Sequence, residues 1–152
     1  SIYVPNGNPV NTEKYEYKQE WLSSLIEHSK ILLNFEKPVI LAGDFNVIPE
    51  AIDCWDEKVW ENDALATSLI RKKFRTIKNL GYFDAFRLFN PNKSEWSFWD
   101  YQKGSWNKDY GIRIDHFLIN SHAADRVKVC KIDKVPRGKE KPSDHTPIII
   151  EF

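Results

Sequence analysis

Residues Pro38–Asn46 read PVILAGDFN, a compact apolar run of strand length that breaks off abruptly into Asp44 and Asn46. A wholly apolar strand is buried on both faces, so this run belongs at the centre of a layered α/β structure. On its N-terminal side, Ile2–Val4 reads as a short strand stopped by the turn signal PNGNP. Thr12–Asn34 has helical spacing, with Trp21, Leu22, Leu25, Ile26, Leu32 and Leu33 on one face and Asn11 or Thr12 as cap. On its C-terminal side, NVIPEAIDCWDEKVW is a loop with a short helix. A second helix is expected over Ala64–Leu80, from Leu65, Leu69, Ile70, Phe74, Ile77 and Leu80, and Gly81 stops it. Tyr82–Tyr110 is rich in aromatic and turn residues. IRIDHFLIN, RVKVCKID and TPIIIEF read as strands, and PRGKEKP as a basic loop. There is no repeat or linker, so residues 1–152 are expected to form a single domain.

Composition bounds the class. With 152 residues, 41% hydrophobic and 29% charged, the chain can bury a core of its own. No apolar run is long enough to span a bilayer, so no membrane partner is expected. The net charge is zero, and the placement of charge matters more than the sum. Basic residues cluster at RKKFR, Arg71–Arg75, and again at Lys128, Lys131, Lys134, Arg137, Lys139 and Lys141. Cys54 and Cys130 are too few and too far apart for a disulfide framework or a CxxC site, and two buried free thiols in a reducing compartment are expected. The sequence contains no Met, so the chain is expected to be processed or to be a piece of a longer protein.

Polar residues terminate three of the apolar strands. Asp44 and Asn46 end one, Asp115 lies inside IRIDHFLIN, and Asp144 and His145 (in PSDHTP) precede the last. A carboxylate inside a strand is costly to bury unless it is paired. Singly, each has a structural reading: a turn cap, a solvent-facing acid, a turn residue. Together, three carboxylates, an Asn and a His at strand ends suit a metal-assisted or general acid/base site.

In this order and with wide gaps, GDFN, GIRIDHFLI and SDHTP resemble the exonuclease III type of apurinic/apyrimidinic endonuclease, within the endonuclease/exonuclease/phosphatase superfamily. YVPNG and WSFWDYQ extend the resemblance over nearly the whole chain. It implies an α/β fold: part of a four-layer α/β/β/α sandwich, one sheet plus helices, with the N-terminal half of the fold absent. It implies a DNA repair nuclease that hydrolyses phosphodiester bonds 5′ to abasic sites and from 3′ ends of duplex DNA. The expected cofactor is Mg2+, with Mn2+ the alternative. The expected partner is double-stranded DNA with abasic sites or 3′ ends, without an obligate protein partner, in a bacterial-type cytoplasm at the nucleoid. The alternatives are another superfamily phosphodiesterase or phosphatase, acting on phosphoinositide or sphingomyelin head groups, and a non-catalytic DNA-binding remnant.

Residue by residue, the resemblance assigns Tyr3 and Asn6 to the scissile phosphate and Asp44 to the attacking water. Asn46 orients nucleophile and phosphate. Asp115 orients His145, and His145 serves the phosphate oxygen or moves a proton. Asp144 and His145 are implied at the metal. Phe98, Trp99, Ile112 and Ile114 are implied as the apolar pocket for a flipped abasic sugar. Trp99 and Trp106 are expected at the DNA, whereas Trp21, Trp55 and Trp60 are expected in the core. The family's N-terminal metal ligands, an Asn on the first strand and a Glu of a QE motif, have no counterpart here, since Gln19-Glu20 lies in the first helix. The isolated chain is therefore expected to associate or be unstable, and to have little nuclease activity.

Overall fold

The computed structural model describes residues Ser1–Phe152. In chain order the elements are β1 (Ile2–Tyr3), α1 (Glu13–Leu33), β2 (Ile40–Asp44), a 3-10 turn (Ala51–Asp53), α2 (Glu57–Trp60), α3 (Ser68–Asn79), β3 (Tyr82–Asp84) and α4 (Ala85–Phe89). They continue with β4 (Asp115–Asn120), α5 (Ser121–Ala124), β5 (Val129–Ile132), a second 3-10 turn (Val135–Gly138) and β6 (Ile148–Glu151). The class is α/β, as expected. The strands distribute over two sheets: four strands in the order β1-β2-β4-β3, and the antiparallel pair β5-β6. No helix is long and apolar enough to cross a membrane.

The PVILAGDFN run forms β2, at an inner position of the larger sheet, parallel to β1 and antiparallel to β4. Gly43 makes the β1 pairing possible. Its φ is +141°, and a Cβ there would lie 2.0 Å from the Ile2 carbonyl oxygen. Only glycine lets β1 come this close.

One face of the sheet carries the main core. α1 turns Tyr15, Lys18, Leu22, Leu25 and Ser29 inward at alternating three- and four-residue spacing. α3 turns in Ile70, Phe74 and Ile77. These helices pack on Leu41, Leu118 and Tyr82, with Val4, Phe45 and Val47 in the same cluster. On the other face, Ile132, Ile148 and Ile150 of β5-β6 pack with Phe86 of α4 against Phe117 and Ile119 of β4.

β2 departs from the expectation of burial on both faces. Leu41 is buried, but Ile40 is exposed and Ala42 only half-buried. The hairpin β5-β6 covers β4 rather than β2, and Ile40 and Ala42 belong to no core cluster. The helix expected over Ala64–Leu80 begins at Ser68, capped by the Thr67 hydroxyl. Ahead of it, Asp63 closes a turn by accepting the N–H groups of Leu65, Ala66 and Thr67. Leu65 is buried there against Ile48, Cys54, Ile112 and Ile114, which is why its apolar signal continued the helical pattern. Cys54 and Cys130 are both buried free thiols.

An ionic network absent from the sequence reading ties the elements together. Arg113, fully buried, donates to Asp53 (2.7 Å) and bidentately to Asp84 (3.1 and 2.7 Å). Arg87 pairs with the same Asp53. The Arg113 charge, set against the burial of the pair, holds the Asp84 carboxyl below its ordinary range. His116 accepts from Arg113 at Nδ1 (3.0 Å) and faces the Val47 carbonyl at Nε2 (2.9 Å), so its proton resides on Nε2.

Candidate active site

Strand register builds the site. Tyr3 is paired with Asp44, and Asp44 with Asp115, so three expected site residues form one row across β1, β2 and β4. After β2 the chain turns at Asn46, whose φ of +47° is in the left-handed region that asparagine tolerates. The Asn46 amide donates to the Val4 carbonyl (2.9 Å) and to Asp44 (3.0 Å), and its N–H meets the second Asp44 oxygen at 2.7 Å. Asn6 donates to the Asn46 side chain at 3.3 Å.

The second wall comes from the aromatic segment. Phe98 bridges to Ile112 on one side and to His145 on the other. Ser97 is buried, and its hydroxyl accepts the N–H groups of Ile114 and Asp115, both at 3.1 Å. Thr146 N–H meets the Ser97 carbonyl at 2.8 Å, and Trp99 N–H meets the Asp144 carbonyl at 2.9 Å. These bonds dock the SDHT turn beside Asp115. His145 Nδ1 lies 2.9 Å from Asp115 Oδ2, and its ring meets Phe98 edge-on at 5.0 Å.

A cavity of about 370 Å3 opens between these walls. Tyr3, Asn6, Asp44, Asn46, Phe98, Ile112, Ile114 and His145 line it. Asp115 stands behind His145. Two expected residues are elsewhere. Trp99 is fully buried outside the cavity, its indole N–H on Asp109 (3.0 Å) and its ring against Trp106, because the segment alternates and Phe98 takes the inward position. Asp144 does not line the cavity; its backbone carbonyl holds Trp99. Trp60, expected in the core, is half-buried and lines the cavity.

Electrostatics follow from this placement. Burial pushes the Asp44 carboxyl up to about 6; the Asn46 N–H opposes the rise, and the facing Asp115 adds to it. Burial opposes charge on His145, but the hydrogen bond to Asp115 and the charges of Asp115, Asp44 and Asp144 prevail, so its imidazole is held above its ordinary value. Lys18, which the sequence did not single out, braces the loops of the site from behind without lining the cavity. Fully buried, it donates to the carbonyls of Asn6 (2.9 Å), Asn46 (2.6 Å) and Ala64 (2.9 Å). Burial drags its ammonium down to about 7 against the pull of Asp63 and Asp44, yet three carbonyl partners need the three N–H of the charged form. The signal was present: Lys18 sits on the inward stripe of α1 between Tyr15 and Leu22.

A metal fits these residues poorly. No three acidic, His or Cys side chains converge to hold an ion, and His145 spends Nδ1 on Asp115. The expected pair Asp144 and His145 is not by itself a metal site, since a hard divalent cation takes about six oxygen ligands.

The endonuclease/exonuclease/phosphatase family model matches residues 2–145. The chain belongs to the endonuclease/exonuclease/phosphatase family. Members of this exonuclease III-like group depend on a divalent metal. An exodeoxyribonuclease of Bacillus subtilis (strain 168) is 30% identical over 149 residues, which are 97% of this chain and 57% of that protein. A DNA-(apurinic or apyrimidinic site) endonuclease of Dictyostelium discoideum is 32% identical, matching 97% of this chain and 40% of its own length. Among solved structures, an AP endonuclease from Archaeoglobus fulgidus superposes with a TM-score of 0.94 at 35% identity, covering 99% of this chain and 59% of that one. The 3′ phosphatase NExo from Neisseria, bound to a product DNA hairpin, superposes with a TM-score of 0.96 at 30% identity and the same coverage. This chain thus spans about half the length of the family relatives it matches.

Proposed function

We propose that these residues form one domain, the C-terminal portion of a DNA repair nuclease that hydrolyses phosphodiester bonds 5′ to abasic sites and from 3′ ends of duplex DNA. One observation carries this reading: an Asp-paired His, a carboxylate-amide pair and an apolar wall of Phe98, Ile112 and Ile114 meet in one cavity. The polar side suits a phosphodiester and the apolar side a sugar that has lost its base. Such a nucleotide is cheap to extrude because no base pairing is lost.

The residues divide the work as follows. Tyr3 and Asn6 hold the phosphate. Asp44, a carboxylate at neutral pH, takes a proton from the attacking water while Asn46 holds both of its oxygens. His145, whose charged form is favoured by Asp115, donates from Nε2 to a phosphate oxygen and spreads the charge that builds on phosphorus. The water oxygen bonds to phosphorus as the bond to the 3′ oxygen breaks; that oxygen takes a proton from solvent and leaves as the 3′ hydroxyl, and Asp44 returns its proton to solvent. The cofactor in this reading is Mg2+, which needs ligands beyond those gathered here, and Asp144 offers one carboxylate. Phe98, Ile112 and Ile114 select the abasic sugar; Trp99 acts only by backing the Phe98 segment.

Single-turnover assays with excess protein on abasic duplex, intact duplex and an inositol phosphate test the reading. Tighter binding of the abasic duplex, with incision in Mg2+ that EDTA abolishes, is expected, and incision by this chain alone should be slow. Equal affinity for both duplexes, or hydrolysis confined to the inositol phosphate, would overturn it.

A further inference from the structure

A second cavity of about 370 Å3 adjoins the first and shares Trp60, Phe98, Asp100 and Ile112 with it. Its far wall is aromatic. Trp55 and Tyr110 stack with ring centroids 3.9 Å apart and planes 11° from parallel. With Trp60 and Phe98, four aromatic rings face one opening. Its rim is basic: Lys103 and Lys108 line it, and the Lys108 ammonium lies 5.7 Å from the Tyr110 ring centroid. Trp55, expected in the core, is half-buried and lines this cleft instead, and neither it nor Tyr110 nor the two lysines line the first cavity.

We infer that this cleft is a nucleobase subsite. It would receive one unpaired base of the substrate strand, next to the phosphate held in the first cavity. The inference rests on the nuclease reading above and extends it from an abasic sugar to a base-bearing neighbour. Flat rings in a preformed stack offer a surface for a flat ligand. Asp100 and the Ser105 hydroxyl offer polar partners for a base edge, and the lysines suit the phosphates on either side. An acyl chain would use the rings but not the lysines; a bare anion would use the lysines but not the rings. A nucleotide uses both, and the shared wall puts it one step along the strand from the phosphate site. The indoles of Trp55 and Trp60 therefore serve the substrate strand.

The test compares two single strands of equal length and charge, each carrying one abasic position, its neighbours being ordinary nucleotides in one strand and base-free spacers in the other, by fluorescence anisotropy on the whole chain. The wild-type protein should bind the base-bearing strand about tenfold more tightly, the scale of one base stacked on aromatic rings. Trp55→Ala and Tyr110→Ser should abolish that preference and leave affinity for the base-free strand unchanged. As a check that needs no variant, a dinucleotide should shift the Val59 methyl and Tyr110 ring resonances, and a base-free analogue should not. Equal wild-type affinity for the two strands, a preference that survives in folded variants, or unshifted Val59 and Tyr110 signals would overturn the subsite alone. Binding of neither strand would also overturn the subsite, whereas the nuclease reading stands or falls with the abasic duplex.

Discussion

His145 shows how one residue acquires a role through its neighbours. Its Nδ1 is occupied by Asp115, which leaves Nε2 for the substrate. His145→Ala should lower the incision rate by about 10²–10⁴-fold while DNA affinity changes little; single-turnover rates beside anisotropy titrations measure both. A loss of less than tenfold would mark His145 as structural. The adjacent residues Phe98 and Trp99 should respond in opposite ways. Phe98→Ala should narrow the preference for abasic over intact duplex. Trp99→Ala empties a fully buried site and should cost about 3–5 kcal/mol of stability, read from urea denaturation.

At the scale of elements, the buried charges on Arg113, Asp53 and Asp84 tie β3, the segment that leads into β4 and the 3-10 turn at Ala51–Asp53 into one unit. Asp84→Ala leaves the Arg113 guanidinium short of a partner inside the protein. A loss of about 3–5 kcal/mol is expected, because an uncompensated buried charge is the costly outcome. An effect within 0.5 kcal/mol in chemical denaturation would show that water reaches Arg113. The same network sets an acid limit through His116. Burial, with the Arg113 charge beside it, pushes this imidazole down to about 4. Between pH 6.5 and 4 the unfolded chain binds a proton there that the folded chain refuses, so unfolding takes up a proton. Stability should therefore fall as pH falls through that window, by about 3 kcal/mol from this group. His116→Gln should flatten that part of a denaturation-against-pH curve.

For the molecule as a whole, the open face of the larger sheet matters most. α1 and α3 cover one face, whereas the other is covered over β4 and left bare at Ile40. β6, one of two strands in its sheet, has Ile148, Ile149 and Ile150 only half-buried. A bare apolar face beside an unpaired edge favours association. At tens of micromolar the chain should sediment as a concentration-dependent mixture, and a monodisperse monomer in sedimentation velocity would contradict this.

The sequence by itself determined the α/β class, the strand-ending carboxylates, the Asp-His pair and the family, because these depend on which residue types follow one another along one element. Period-two and period-three-to-four patterns record a face, and GDFN or SDHT records a turn. Only the tertiary structure decided which face is covered and which side chains meet. Tyr3, Asp44 and Asp115 form a row through strand register. Ser97 reaches Asp115 across 18 positions of chain. Lys18 meets three carbonyls from three separate loops. Trp99 is buried and Trp60 lines the cavity, the reverse of their local reading, because an indole suits core and cleft equally. Burial is a property of what packs against a residue, and those partners come from distant segments.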